Sequence, residues 1–116
     1  MDDCIFCQIV ERTLPADVVF ETDRSLAFRD LNPTAPTHVL VIPKRHIEDA
    51  GAVDAEHADD VADLLVTARA VADAEGIGGE DRGYRLVFNV GADAGISVPH
   101  LHLHVIGGRA MAWPPG

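Results

Sequence analysis

His100-Leu101-His102-Leu103-His104-Val105-Ile106 is the stretch on which the fold turns. Successive side chains of an extended strand point to opposite faces, so this reading puts His100, His102 and His104 on one face and Leu101, Leu103 and Val105 on the other. Side chains two apart lie roughly 6.6 Å from each other, which makes a row of imidazoles about 13 Å long. The apolar face belongs against a core, and the imidazole face is left for chemistry. Gly107-Gly108 ends the strand.

Working outward, Tyr84 to Val90 alternates bulky apolar residues with Arg85, Val87 and Asn89, as a strand does, and runs into a glycine-spaced loop from Gly91 to Gly95. Val61, Leu64, Leu65, Ala68, Val71 and Ala72 recur at three- and four-residue intervals between Asp54, an N-cap, and Gly76. That spacing predicts one long helix covering a sheet face. His57 is read as a surface residue of this helix. Upstream, His38 to Ile42 is a central strand stopped by Pro43, and Val18–Phe20 with Leu26–Phe28 form a hairpin around the polar turn Glu21-Thr22-Asp23-Arg24. Ile5, Phe6, Ile9 and Val10 mark a brief N-terminal helix closed off by Pro15. The order β-β-β-α-β-β, joined mainly by short turns, predicts an α+β fold with a five-stranded antiparallel sheet.

With 116 residues, 47% of them hydrophobic, and no repeat or linker, the chain reads as one domain over 1–116. The acidic start lacks the pattern of a secretory signal, and no apolar run reaches the roughly 20 residues of a membrane span, so a cytoplasmic location is expected. A formal charge of -10 argues against a nucleic-acid polymer as partner, because such binding relies on Lys and Arg displacing counterions. A small nucleotide needs only a few local donors and stays open.

Three histidines in register point to metal binding or to phosphoryl chemistry. The latter uses a neutral imidazole nitrogen as nucleophile and other donors to balance charge on phosphorus. Cys4 and Cys7 form a C-x-x-C, which in a reducing compartment favours metal binding or redox chemistry over a structural disulfide.

Residues 98–108, Val-Pro-His-Leu-His-Leu-His-Val-Ile-Gly-Gly, carry the pattern His-φ-His-φ-His-φ-φ, with φ apolar. Together with Ile5-Phe6, Leu26–Asp30, Ala35–His38, Val41–Lys44, Asn89 and the ending Trp113-Pro114-Pro115-Gly116, this resembles the histidine triad (HIT) family, in its nucleotide-binding branch. The resemblance spans essentially the whole chain. It implies a purine nucleoside phosphoramidase, in which His102 attacks the α-phosphorus to give a nucleotidyl-histidine that water then cleaves. The backbone carbonyl of His100 would hold the proton on the other ring nitrogen, and His104 would donate to a phosphate oxygen. Ser97 would pass a proton to the leaving amine. Asn89 and the backbone from Gly95 to Val98 would cradle the phosphate, and His38 would complete the network. Asp30 matches the carboxylate that accepts from the ribose hydroxyls, while Ile5, Phe6, Phe28 and Leu31 resemble an apolar slot around a purine.

The resemblance also implies a structural Zn2+ on Cys4, Cys7, His46 and His100, with no metal required for catalysis. It implies a homodimer as well, built on the helix and the strand after it, with the Trp113 tail reaching the partner's site. Pro99 stands where relatives usually carry an aromatic residue, and Val90 where an acidic one is common. Two alternatives share these residues: a nucleotide-binding scaffold with little activity, and a zinc-dependent hydrolase using the histidines as ligands.

Overall fold

The computed structural model describes residues 3–96 and 98–116. Its elements are α1 (Ile5–Val10), β1 (Val18–Glu21), β2 (Ser25–Arg29), β3 (Thr37–Pro43), α2 (Ala58–Ala74), β4 (Tyr84–Val87) and β5 (Leu103–Gly107), with short 3₁₀ turns at Ala50–Ala52, Ala55–His57 and Ala92–Ala94. The strands form one five-stranded sheet in the order β1-β2-β3-β5-β4, with every neighbouring pair antiparallel. This is the α+β architecture expected from the alternation. No helix among the described residues is long and apolar enough to cross a membrane.

The two-residue period of the strands sorts their side chains onto two faces. Ala27, Val39, Val41, Leu103 and Val105 meet Leu64, Ala68, Val71 and Ala72 of α2 in one core. On the opposite face, Leu26, Phe28, Leu40 and Ile42 pack with Phe6, Cys7 and Ile9 of α1. Every residue of β3 is buried because both of its faces are covered. α1 is short, so it covers only part of its face, and His38 and His104 stand on that same side of the sheet beyond Leu40, which pairs with His104. Polar ties hold α2 to the β1–β2 hairpin. The Arg29 guanidinium grips Glu75 with nitrogens at 2.8 and 2.9 Å, and the Thr22 and Ser25 hydroxyls donate to Asp63.

Boundaries differ from the sequence reading: β2 and β3 each extend one residue further at both ends, so that Pro43 is the last residue of β3. β4 stops at Val87 rather than Val90, and Glu21 belongs to β1 rather than to the turn. β5 begins only at Leu103. Before it, His100 N–H turns back to the Val98 carbonyl at 2.9 Å, and Leu101 N–H donates to Ile47 O. Both N–H groups are thus spent outside the β3–β5 ladder, whose regular pairing begins only with Leu103 opposite Val41. His57 is a half-buried member of the 3₁₀ turn, not a surface residue of the long helix. Its ring closes a capping box with Asp54, whose N–H it accepts at 3.1 Å.

The sheet's far end is closed by glycines for a steric reason. A Cβ at Gly107 would lie 2.7 Å from Ile77 Cδ1, and Gly108 adopts φ +93 with Pro36 against it.

Candidate active site

The late start of β5 changes the histidine row. His102 and His104 are neighbours, with ring centroids 5.1 Å apart, and His38 of β3 lies 5.1 Å from His104. His100, fully buried, does not continue this row. Its ring turns instead toward Cys4, Cys7 and His46. One side chain, Phe6, touches both groups, its ring 5.9 Å from His100 and 5.2 Å from His102.

Acceptor chemistry fixes where the protons sit. His102 Nδ1 lies 2.7 Å from the carbonyl oxygen of His100. A carbonyl only accepts, so Nδ1 carries the proton and Nε2 presents its lone pair. In His38, Nδ1 accepts the backbone N–H of Thr34 at 3.1 Å. Neutral His38 therefore bears its proton on Nε2, which donates to His104 Nδ1 at 2.8 Å. That leaves the His104 proton on Nε2; the Asn89 side-chain nitrogen, 3.5 Å away, is also a donor, so the two are neighbouring donors and not a hydrogen-bonded pair. Burial, helped by the neighbouring His102 and His38 rings, pushes the His104 pKa down to about 4, with Asp30 opposing the shift. With the rings neutral the pocket thus offers one lone pair, on His102, beside one N–H donor, on His104.

The surrounding residues divide by exposure. Phe6 and Phe28 are buried edge to face at 5.5 Å, whereas Ile5 is half exposed and Leu31 almost wholly so. Asp30 Oδ1 accepts the N–H of Asn32 at 2.8 Å, while Oδ2 lies 3.5 Å from His38 Nε2. Its carboxylate caps a turn and faces the histidines at once. Gly95 ends the Ala92–Ala94 turn in the left-handed conformation, φ 79, with its N–H given to Ala92 O. Ser97 lies outside the described residues. Val98 packs against the Phe6–Phe28 cluster. Trp113 is 81% exposed and remote from both cores.

The second cluster suits a metal on its donor chemistry. Ligand atoms of Cys4, Cys7, His46 and His100 all lie within 4.8 Å of one another. His100 Nε2 donates to Pro43 O at 2.9 Å, so Nδ1 is the unprotonated nitrogen. It sits 3.3 Å from Cys4 Sγ, 3.5 Å from Cys7 Sγ and 3.1 Å from His46 Nδ1. Tetrahedral zinc with nitrogen and sulfur ligands spaces its donors roughly 3.3 to 3.8 Å apart, a range that both sulfur separations meet and the His46 nitrogen falls just short of. The Cys7 N–H donates to Cys4 Sγ at 3.3 Å, a contact that supports negative charge on sulfur. Burial, with the Cys4 thiol next, raises the Cys7 pKa to about 11, so a thiolate here calls for a cation to replace the proton.

Two contributors have no signature in the sequence, because they act through the backbone: Thr34 N–H sets the His38 tautomer, and Pro43 O sets that of His100. Their only signal is indirect, in the prolines that bend the chain at 33, 36 and 43.

Fold and site together define an α+β protein with a linked histidine cluster on the open face of an antiparallel sheet. The HIT domain model matches residues 11–111, and the chain belongs to that family. An uncharacterized HIT-like protein of Synechococcus elongatus is 49% identical over 115 residues, 99% of this chain and 98% of the relative. The crystal structure of a HIT family hydrolase from Legionella pneumophila superposes with a TM-score of 0.93 at 50% identity, covering 98% of this chain and all of the other. That of a histidine triad nucleotide-binding protein from Candida albicans gives 0.82 at 28% identity, covering 97% and 83%.

Proposed function

We propose that this chain is a hydrolase of purine nucleoside 5′-phosphoramidates, working through a covalent nucleotidyl-histidine. The observation that carries the reading is the 2.7 Å contact from His102 Nδ1 to the His100 carbonyl, which makes Nε2 the nitrogen that holds the lone pair in the neutral ring. Supporting it are the family membership and the names of two structural relatives, one a hydrolase and one a nucleotide-binding protein.

In the first step the Nε2 lone pair of His102 forms a bond to the α-phosphorus, and the P–N bond to the amine breaks. The amine takes its electron pair with it and receives a proton, for which Ser97 is the relay. His104 Nε2–H and Asn89 donate to the phosphate oxygens, where charge accumulates. His102, now carrying phosphorus on one nitrogen, is cationic, and the His100 carbonyl steadies it through Nδ1–H. In the second step water adds to phosphorus and gives up a proton, which passes back along the Ser97 relay to replace the one lent to the amine; the P–Nε2 bond breaks, its electrons return to His102 as the Nε2 lone pair, and the nucleoside monophosphate leaves. Asp30 accepts from the ribose hydroxyls, and Ile5, Phe6, Phe28 and Leu31 border the purine. The cation that Cys4, Cys7, His46 and His100 would hold supplies a structural clip, since four protein ligands leave no open coordination position.

The functional unit in this reading is a homodimer, in which the exposed Trp113 tail reaches the partner's site. The test is an adenosine phosphoramidate bearing a fluorescent amine. Wild type releases the amine and, on acid quench, carries a nucleotidyl adduct by mass spectrometry, and His102→Ala does neither. Release by the variant at the wild-type rate, or an adduct on another residue, overturns the mechanism.

A further inference from the structure

We propose that the Cys4–Cys7–His46–His100 cluster, when it holds a thiophilic divalent cation, is a positioning device for the nucleophile His102. The inference rests on the reaction proposed above and concerns how its nucleophile is aimed.

Two links run from the cluster to His102. The first passes through His100, which is held at every polar atom. Its Nδ1 faces the two sulfurs and His46, Nε2 donates to Pro43 O, and its N–H bonds to Val98 O. The remaining group, its carbonyl, accepts the Nδ1 proton of His102 at 2.7 Å. Holding the His100 ring and N–H opposes any shift of its backbone, and such a shift moves the carbonyl acceptor that decides which His102 nitrogen is free. The second link passes through α1. Cys4 is its N-cap and Cys7 lies in its first turn, with Phe6 between them. The Phe6 ring stands nearly perpendicular to that of His102, at 82°, and to that of His100, at 75°. An ion joining both cysteines to His46 and His100 ties α1, residue 46 and the segment before β5 together, and so fixes the wall against which the His102 ring rests.

The alternative assignment for these cysteines is bulk stability with no influence on the nucleophile. The two are separated by reading the His102 proton directly. Long-range ¹H–¹⁵N spectra of the histidine rings are recorded on wild type loaded with one equivalent of Zn2+, on the same protein after dialysis against a chelator, and on His46→Ala. His46 sits at the half-exposed edge of the cluster, so this substitution removes a ligand without opening the core. The loaded protein is expected to show His102 as a single Nδ1–H tautomer. The stripped protein and the variant are expected to show exchange between tautomers, with far-UV circular dichroism unchanged. In the steady state kcat falls about 10- to 100-fold, the range for losing a partner that orients a reactive ligand, while the dissociation constant for AMP changes less than about twofold.

Failure to retain Zn2+ through gel filtration overturns the proposal. So does a His102 tautomer indifferent to the metal, or a stripped protein and a variant that both unfold, which would make the cluster a global support. The tautomer is read without substrate, so a wild-type protein inert toward phosphoramidates would defeat the proposed reaction and still leave this result legible.

Discussion

His38 Nε2 and His104 Nδ1 are 2.8 Å apart, joined across the β3–β5 pair by one proton whose direction is set from outside the site. Thr34 N–H occupies the other nitrogen of His38, so the donor must be His38. Arg109 in turn holds the Thr34 carbonyl at 3.1 Å, fixing the proline-flanked loop that supplies this N–H. The proton presented by His104 is thus dictated by a backbone amide four residues before His38 in sequence.

Replacing His38 with Phe removes that donor and strands the Thr34 amide. The expected outcome is a fall in kcat of about 10²- to 10³-fold, the usual cost of losing a preorganised donor toward developing charge. The unpaired amide adds a stability loss of about 1–3 kcal/mol. Steady-state kinetics and urea unfolding on the same samples check both, and unchanged kcat would remove His104 as the donor.

Acid should weaken the fold through His104. Its pKa is about 4 in the folded chain against an ordinary 6.5, so between those values the unfolded chain binds the extra proton. Stability therefore holds above pH 6.5 and is lost as pH falls toward 4, by at most about 1.4 kcal/mol per pH unit for this group. Urea midpoints at pH 7, 6 and 5 measure the slope. His104→Gln, with nothing to titrate there, is expected to reduce the slope by this group's share and leave that of His100, whose burial likewise holds its pKa down to about 4.

Leu103 lies on the helix-facing side of β5, fully buried against the α2 core. Leu103→Ala should cost about 2–5 kcal/mol through lost transfer energy and a residual cavity. Calorimetry gives the loss. AMP binding by the folded variant should remain near wild type, because the residues proposed to hold the nucleotide belong to the other face.

Gly107→Ala tests the closed end of the sheet. The added methyl meets Ile77 Cδ1 at 2.7 Å, and Ile77 is itself buried, so about 1–3 kcal/mol of overpacking cost is expected. A companion Ile77→Val change should recover part of it in a double-mutant cycle. Additive losses would show that the two side chains do not collide.

Much of this protein was determined by its one-dimensional pattern. The alternation of His and Leu from 100 to 105, the three- and four-residue spacing from Val61 to Ala72, and the prolines bounding β3 specify an antiparallel sheet with one covering helix, because side-chain period follows directly from backbone geometry. What the pattern could not determine is how the three histidines of the row divide. Alternation assigns all three to one face, but the His100–Val98 and Leu101–Ile47 backbone bonds keep the chain before Leu103 out of the ladder, and His100 turns to meet two cysteines 96 and 93 residues away. The proton positions on His38, His100 and His102 depend on the carbonyl of His100, the carbonyl of Pro43 and the amide of Thr34. Every residue type but proline carries such an amide and every residue a carbonyl, so only tertiary structure decides which of them a given imidazole meets.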